Sequence, residues 1–146
     1  MTKGYLAIVL HAHLPFIKHP EYESFLEENW LFEAITDTYI PLIDVFDGLI
    51  KDNVDFRITV SLSPTLINML ADELLVQRYL KHLEKLIRLS ELEIDRTMDD
   101  ARTNKLARMY HGRFLRARHV FVDKYGNNLL NAFRKFGDLG RIEFIT

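Results

Sequence analysis

Three short apolar runs, Tyr5–Leu10, Phe56–Val60 and Arg141–Thr146, are separated by much longer stretches with helical periodicity. That alternation is the strongest constraint on the fold. Strands that follow one another through helical crossovers lie parallel and connect with a right-handed turn. The first run lacks polar alternation, which predicts a strand buried on both faces. The second is rich in β-branched residues, as strands are. Residues 11–24 hold Pro15 and Pro20 and read as a loop. The Ser24-to-Glu27 spacing predicts a capping box that opens a helix. Pro41 predicts a break and a second helix start. Behind it, Leu42, Val45, Phe46, Leu49 and Ile50 make one apolar stripe, which stops at Asp52-Asn53.

Ser63-Pro64 has the form of a helix start, with serine as the cap and proline at the first position. The helical pattern then runs to about Thr97, with a break near Asp72. Leu75, Tyr79, Leu83, Leu86 and Ile87 define its buried face, and Lys81, Glu84, Lys85 and Arg88 its solvated one. A further helical region covers roughly Ala101 to Phe136, with Leu106, Met109, Tyr110, Phe114, Ala117 and Phe121 at core spacing and an interruption at Gly126-Asn127-Asn128. Gly137 and Gly140 bracket the turn into the last strand. The order is β-α-β-α-α-β, and in such folds ligands bind at the carboxyl ends of the strands. His11 then stands at the mouth of strand one and Ser61 at the mouth of strand two.

Composition narrows the partners. The chain has 146 residues, the length of one domain, and a formal net charge of -2, so neither nucleic acid nor an anionic membrane is indicated as its partner. With no cysteine, disulfides, thiolate metal sites and cysteine catalysis are excluded. The first apolar run spans only Tyr5–Leu10, too short for a signal-peptide core or a membrane span. The expected location is the cytoplasm.

His11-Ala12-His13 carries the chemistry. Residues two apart on an extended chain point to the same side, so both imidazoles can face one pocket. Three readings stay open on these residues alone. The histidines can be structural, each satisfied by a backbone or carboxylate partner. They can be metal ligands, as in a metal-dependent amidohydrolase or deacetylase, although His82, His111 and His119 fall within helical stretches and offer no obvious third ligand. They can contact a sugar, donating to hydroxyls while a nearby ring stacks on the pyranose. Phe16, Trp30 and Phe32 are close in sequence. Phe32 fits a core position, and Trp30, whose indole N–H needs a polar partner, is the better sugar platform.

His11-Ala12-His13-Leu14-Pro15-Phe16 resembles the first conserved region of glycoside hydrolase family 57. Asn29-Trp30-Leu31-Phe32-Glu33-Ala34 and Thr38-Tyr39-Ile40-Pro41-Leu42 resemble the segment that follows it in the branching-enzyme group. Ser61–Leu66, Leu70–Leu75 and Gly140–Thr146 resemble later segments of the same group, in order along essentially the whole chain. The resemblance implies that residues 1–146 are the N-terminal portion, about three parallel strands, of an incomplete (β/α)7 barrel. It implies a retaining double displacement on α-1,4-glucan, with a glutamate nucleophile, an aspartate acid/base and no metal or organic cofactor. In branching enzymes the acceptor is a glucan 6-hydroxyl. By position His11 and His13 inherit sugar contact, and Trp30 a place in the site wall. Glu33 could bond to a histidine or a sugar hydroxyl, but a helix-borne glutamate is more often solvated.

Neither catalytic motif has a match in this chain, so the nucleophile and acid/base are expected beyond Thr146. Glu143 lies inside the third strand and is no substitute. The expectation is a chain that is inactive alone and associates with the missing C-terminal part, as a truncation or as one half of a split enzyme. The alternatives are an α-amylase or 4-α-glucanotransferase of the same family, the metal-dependent hydrolase, and a degenerate, non-catalytic piece.

Overall fold

The computed structural model describes residues 4–145, so Thr146, the expected end of the third strand, lies outside the described residues. Three strands, β1 (Val9–Ala12), β2 (Ile58–Leu62) and β3 (Ile142–Ile145), form a sheet in the order β1-β2-β3 with both pairs parallel. Between β1 and β2 run α1 (Glu28–Glu33) and α2 (Ile40–Lys51). Between β2 and β3 come α3 (Pro64–Ala71), α4 (Glu73–Arg96), α5 (Ala101–Arg118) and α6 (Leu130–Asp138). The α/β alternation read from the sequence is therefore the architecture of the chain.

The register gives the sheet two unlike faces. Leu10 pairs with Val60 and Val60 with Phe144, while Ala12 pairs with Leu62. Leu10, Ala12, Val60, Leu62 and Ile142 join the hydrophobic core, whose most enclosed members include Leu31, Ile43, Phe46, Leu66, Tyr79, Phe121 and Phe136. The other face carries Val9, His11, Thr59, Ser61, Glu143 and Ile145.

The first strand thus departs from expectation. It begins at Val9 and extends through His11 and Ala12, and Tyr5 and Leu6 are 98% and 86% exposed. Pairing to β2 starts where the Thr59 amide donates to the Ile8 carbonyl at 3.2 Å, and only one face of β1 meets the core. An apolar run shows that a strand is favourable, but its paired length is set by its neighbour. In the same way β2 starts at Ile58 rather than Phe56: the Phe56 amide donates back to the Val54 carbonyl at 3.1 Å, its ring stacks on Phe46 at 5.5 Å, and the Ile58 amide is the one that reaches β3's side, at the Arg141 carbonyl.

One helix start also differs, and another is entered in an unexpected way. No capping box forms at Ser24. The first helix opens at Glu28, after turn bonds from the Glu28, Asn29 and Trp30 amides to the carbonyls of Phe25, Leu26 and Glu27. The second start falls at Pro41 as expected, α2 beginning at Ile40 with the proline in its first turn, but no loop precedes it. A π-helical turn, Ala34–Tyr39, joins α1 to α2 and carries the Ile40 amide to the Ile35 carbonyl. The carbonyl that an α-helical N–H at position 41 would have reached belongs to Asp37. It accepts instead from the Arg113 guanidinium at 3.4 Å, and the same guanidinium pairs with the Asp37 carboxylate at 3.1 Å.

The later starts follow the sequence. Ser63 Oγ accepts from the Leu66 amide at 3.3 Å, with Pro64 at the first position. Asp72 both separates α3 from α4 and caps α4, accepting from the Leu75 amide at 3.1 Å. Leu75, Tyr79 and Leu83 are buried as expected, but Leu106, Met109 and Tyr110 are 50%, 50% and 46% exposed. The far half of the α4–α5 hairpin reaches past the core: between Leu83 and Ala117 only Ser90, Thr97 and Ala107 are buried. Polar contacts tie it together. Asn104 Nδ2 donates to the Ile94 carbonyl at 2.7 Å and to Thr97 Oγ1 at 3.1 Å. Ser90 Oγ donates to the Ile87 carbonyl at 2.6 Å, so the His111 Nδ1, 3.0 Å away, must be the donor of the second bond.

Candidate functional site

The open face of the sheet brings together what the sequence left three segments apart. His11 is paired with Ser61, and Ser61 with Ile145, so the three side chains stand in one row. The next row holds Val9, Thr59 and Glu143, where Thr59 Oγ1 donates to the Glu143 carboxylate at 3.2 Å. His13 follows at the exit of β1. Its ring stacks beside that of His11, with centroids 5.7 Å apart and 20° between planes. Both histidines are exposed, as alternation along an extended chain requires. The Ser63 amide donates to the Ala12 carbonyl at 3.1 Å, fixing the exit of β1 to the start of α3.

Two imidazoles on an open strand end, with a serine hydroxyl on the neighbouring strand, form a polar patch able to donate and accept hydrogen bonds. Trp30 stands half exposed on α1, and no aromatic contact joins it to either histidine. Phe32 is in the core against Tyr79 and His82, as expected, and Glu33 is solvated. A metal centre built on His11 and His13 would need further ligands. Among the described residues no group of three His, Cys, Asp or Glu side chains is placed to hold an ion.

The loop after His13 is fastened to the helices by groups that sequence patterning gave no reason to single out. Ile17 is buried, and Lys18 pairs with Asp72 at 2.5 Å. Burial alone would raise the Asp72 carboxyl, but the Lys18 hydrogen bond, the Leu75 amide and the Lys18 charge outweigh it and hold it below the usual aspartate range. Arg78 of α4 donates to the His19 carbonyl at 3.2 Å, to the Tyr22 carbonyl and to the carboxylate of Glu28, which is only 1% exposed. A buried charge is tolerated when a partner neutralises it, and only the fold shows that this glutamate has one.

Beside this clamp lies a cavity of about 850 Å³ lined by Tyr22, Phe25, Asn29, Gln77, Lys81 and His82, among others. His82 sits partly enclosed there, and burial together with the Lys85 charge lowers its pKa against a smaller opposing pull from Glu33. Neither His11 nor His13 lines this cavity. Among the described residues no helix is long and apolar enough to cross a membrane.

Comparison with known proteins agrees with the geometry. The family described as Glycosyl hydrolase family 57 matches residues 7–146. A 1,4-alpha-glucan branching enzyme of Thermococcus kodakarensis is 31% identical over 145 residues, which cover 99% of this chain and 21% of that protein. An alpha-amylase from Thermotoga maritima superposes with a TM-score of 0.93 at 44% identity, over 99% of this chain and 27% of its own. A branching enzyme from Pyrococcus horikoshii does so with a TM-score of 0.90 at 32% identity, over the same shares of the two chains. The chain thus spans about a fifth to a quarter of the length of the relatives it matches.

Proposed function

The chain belongs to glycosyl hydrolase family 57, and on that premise we propose that it supplies the first strands and a sugar-contact surface of an α-glucan-active, retaining enzyme of the branching type. The observation that carries this reading is the stacked His11–His13 pair on the open face of the sheet, in one row with Ser61. Sequential strand order with the core against one face is what the wall of a barrel presents, whereas a doubly wound sheet is covered on both faces. That supports the incomplete (β/α)7 barrel as the parent architecture. In it His11 and His13 hydrogen-bond to the sugar being transferred, and Trp30 belongs to the outer wall of the site. No carboxylate of this chain is proposed as nucleophile or acid/base. Glu143, the carboxylate in the strand rows of the open face, is already engaged by Thr59.

Calorimetric titration with maltooligosaccharides tests the binding role. The chain should bind them, His11→Ala and His13→Ala should each weaken binding about tenfold or more, and the fold should be unchanged because both side chains are exposed. Equal affinity in wild type and both variants would reject the assignment.

The second reading is α-amylase activity, favoured by the 44% identity to the Thermotoga maritima enzyme. Incubating the whole protein with amylose separates the two. New α-1,6 linkages without a matching rise in reducing ends identify branching, and a rise in reducing ends alone identifies hydrolysis.

A further inference from the structure

The cavity of about 850 Å³ between residues 20–29 and α4 has two unlike walls. One is aromatic. The Tyr22 and Phe25 rings stack with centroids 5.4 Å apart and 21° between planes, and the His19 ring backs Phe25 at 3.8 Å. Tyr22 lines the cavity and is nonetheless 53% exposed. Its backbone is held on both sides: its amide donates to the His19 carbonyl at 3.3 Å, and its carbonyl accepts from Arg78. An exposed ring on a fastened backbone is preorganised for a ligand. The other wall is a polar face of α4. Gln77, Lys81 and Lys85 follow one another at intervals of four, which puts them on one side of the helix. His82 and, from α1, Asn29 join them. Amide and neutral imidazole groups both donate and accept, and the lowered pKa of His82 keeps its ring neutral at pH 7. The base of the cavity is built, since Glu28 is 1% exposed and paired with Arg78.

Charge narrows the ligand. The lining carries three carboxylates, Glu21, Glu23 and Glu28, and three cations, Arg78, Lys81 and Lys85. These balance, so the cavity has no net charge with which to select an anion or a cation. An apolar peptide would cover the amides and lysines of the α4 wall without giving them partners. An uncharged ligand with an apolar face and a hydroxyl edge suits both walls, and a pyranose has that form. We propose that this cavity is a carbohydrate site, separate from the His11–His13 patch, and that it takes an α-glucan oligosaccharide. The carbohydrate class follows from the two walls, and the choice of glucan rests on the function proposed above. Tyr22 and Phe25 take the C–H face of a glucose unit, while Asn29, Gln77 and His82 bond to its hydroxyls. Pro20, where the cavity wall begins, follows His13 by seven residues, at most about 25 Å of chain. A polymeric glucan can therefore occupy both places at once, and the second contact raises the local concentration of the first.

The test is calorimetric titration of the purified chain with maltohexaose, with inorganic phosphate as the anionic control. The double variant His11→Ala/His13→Ala removes the first contact and should still bind the oligosaccharide. Adding Tyr22→Ala or Gln77→Leu to that double variant should weaken the remaining binding about tenfold or more. Circular dichroism should stay unchanged, since both added positions are exposed. Binding by the wild type that vanishes in the histidine double variant would place all glucan contact at the histidines and overturn the cavity assignment alone. Binding untouched by the histidine substitutions but lost on Gln77→Leu would uphold the cavity and reject the histidine reading. Affinity unchanged by both added substitutions, or displacement of maltohexaose from the double variant by phosphate, overturns the proposal, the latter by marking an anion site. Absence of binding in every form overturns both assignments.

Discussion

Arg78 reaches across 50 positions of sequence to neutralise the enclosed carboxylate of Glu28, and with the same guanidinium holds the backbone at His19 and Tyr22. One side chain thereby fastens α4 to the start of α1 and to the loop that leaves the histidine strand. Arg78→Met leaves the Glu28 charge buried and unpaired, a loss expected to cost about 3–5 kcal/mol. The double variant Glu28→Gln/Arg78→Met removes both charges and should recover much of it. Urea unfolding of the two variants checks this, and equal losses would mean that the lost loop contacts, not the orphaned charge, dominate.

Tyr79 is fully enclosed and its hydroxyl lies 3.0 Å from Thr36 Oγ1, also buried. Burial pushes the phenol well above its usual range against a smaller lowering by that bond, so it stays protonated at any ordinary pH. Tyr79→Phe keeps the ring packed against Phe121 but leaves the threonine hydroxyl without this partner, at a cost of about 1–2 kcal/mol. Chemical denaturation midpoints measure the difference, and Thr36→Val in the same background should restore part of it.

Asp47 bonds to both Lys124 and Lys135, the latter at 2.6 Å. Burial alone would raise its pKa, and the two lysines, through hydrogen bonds and charge, bring it below the usual value. A carboxyl lowered by folding contributes stability that is complete above the unfolded value, about 3.9, and disappears as pH falls through the lower folded value. The chain should lose stability on acidification below about pH 4, and Asp47→Asn should flatten that dependence while lowering stability at neutral pH. Urea midpoints from neutral pH to about pH 3 test both slopes.

Asn104 bridges the hairpin tip to the Ile94 carbonyl and Thr97 Oγ1. Asn104→Leu should speed amide exchange across the tip while changing global stability by under about 1 kcal/mol, because the tip shares little of the core and can open by itself. Exchange measured by mass spectrometry at the peptide level distinguishes this from uniform loosening.

The sequence by itself determined the alternation of strands and helices, the cap at Ser63, the break near Asp72, and the same-side placement of His11 and His13. These are local matters, fixed by side-chain period and by hydrogen bonds within a few residues. It did not determine how far each strand is paired, since the ladder needs its partner, nor the passage through Pro41, where Arg113 from a distant helix serves the Asp37 carbonyl. It also offered no sign that Glu28 would be buried, because a glutamate near a helix start reads as solvated until Arg78 arrives from α4. At the candidate site the histidine pair was legible, while its row with Ser61 and Ile145 exists only through strand register. The exposed stripe of α5 was read as core for the same reason: periodicity marks which residues share a face, and tertiary packing alone decides what that face meets.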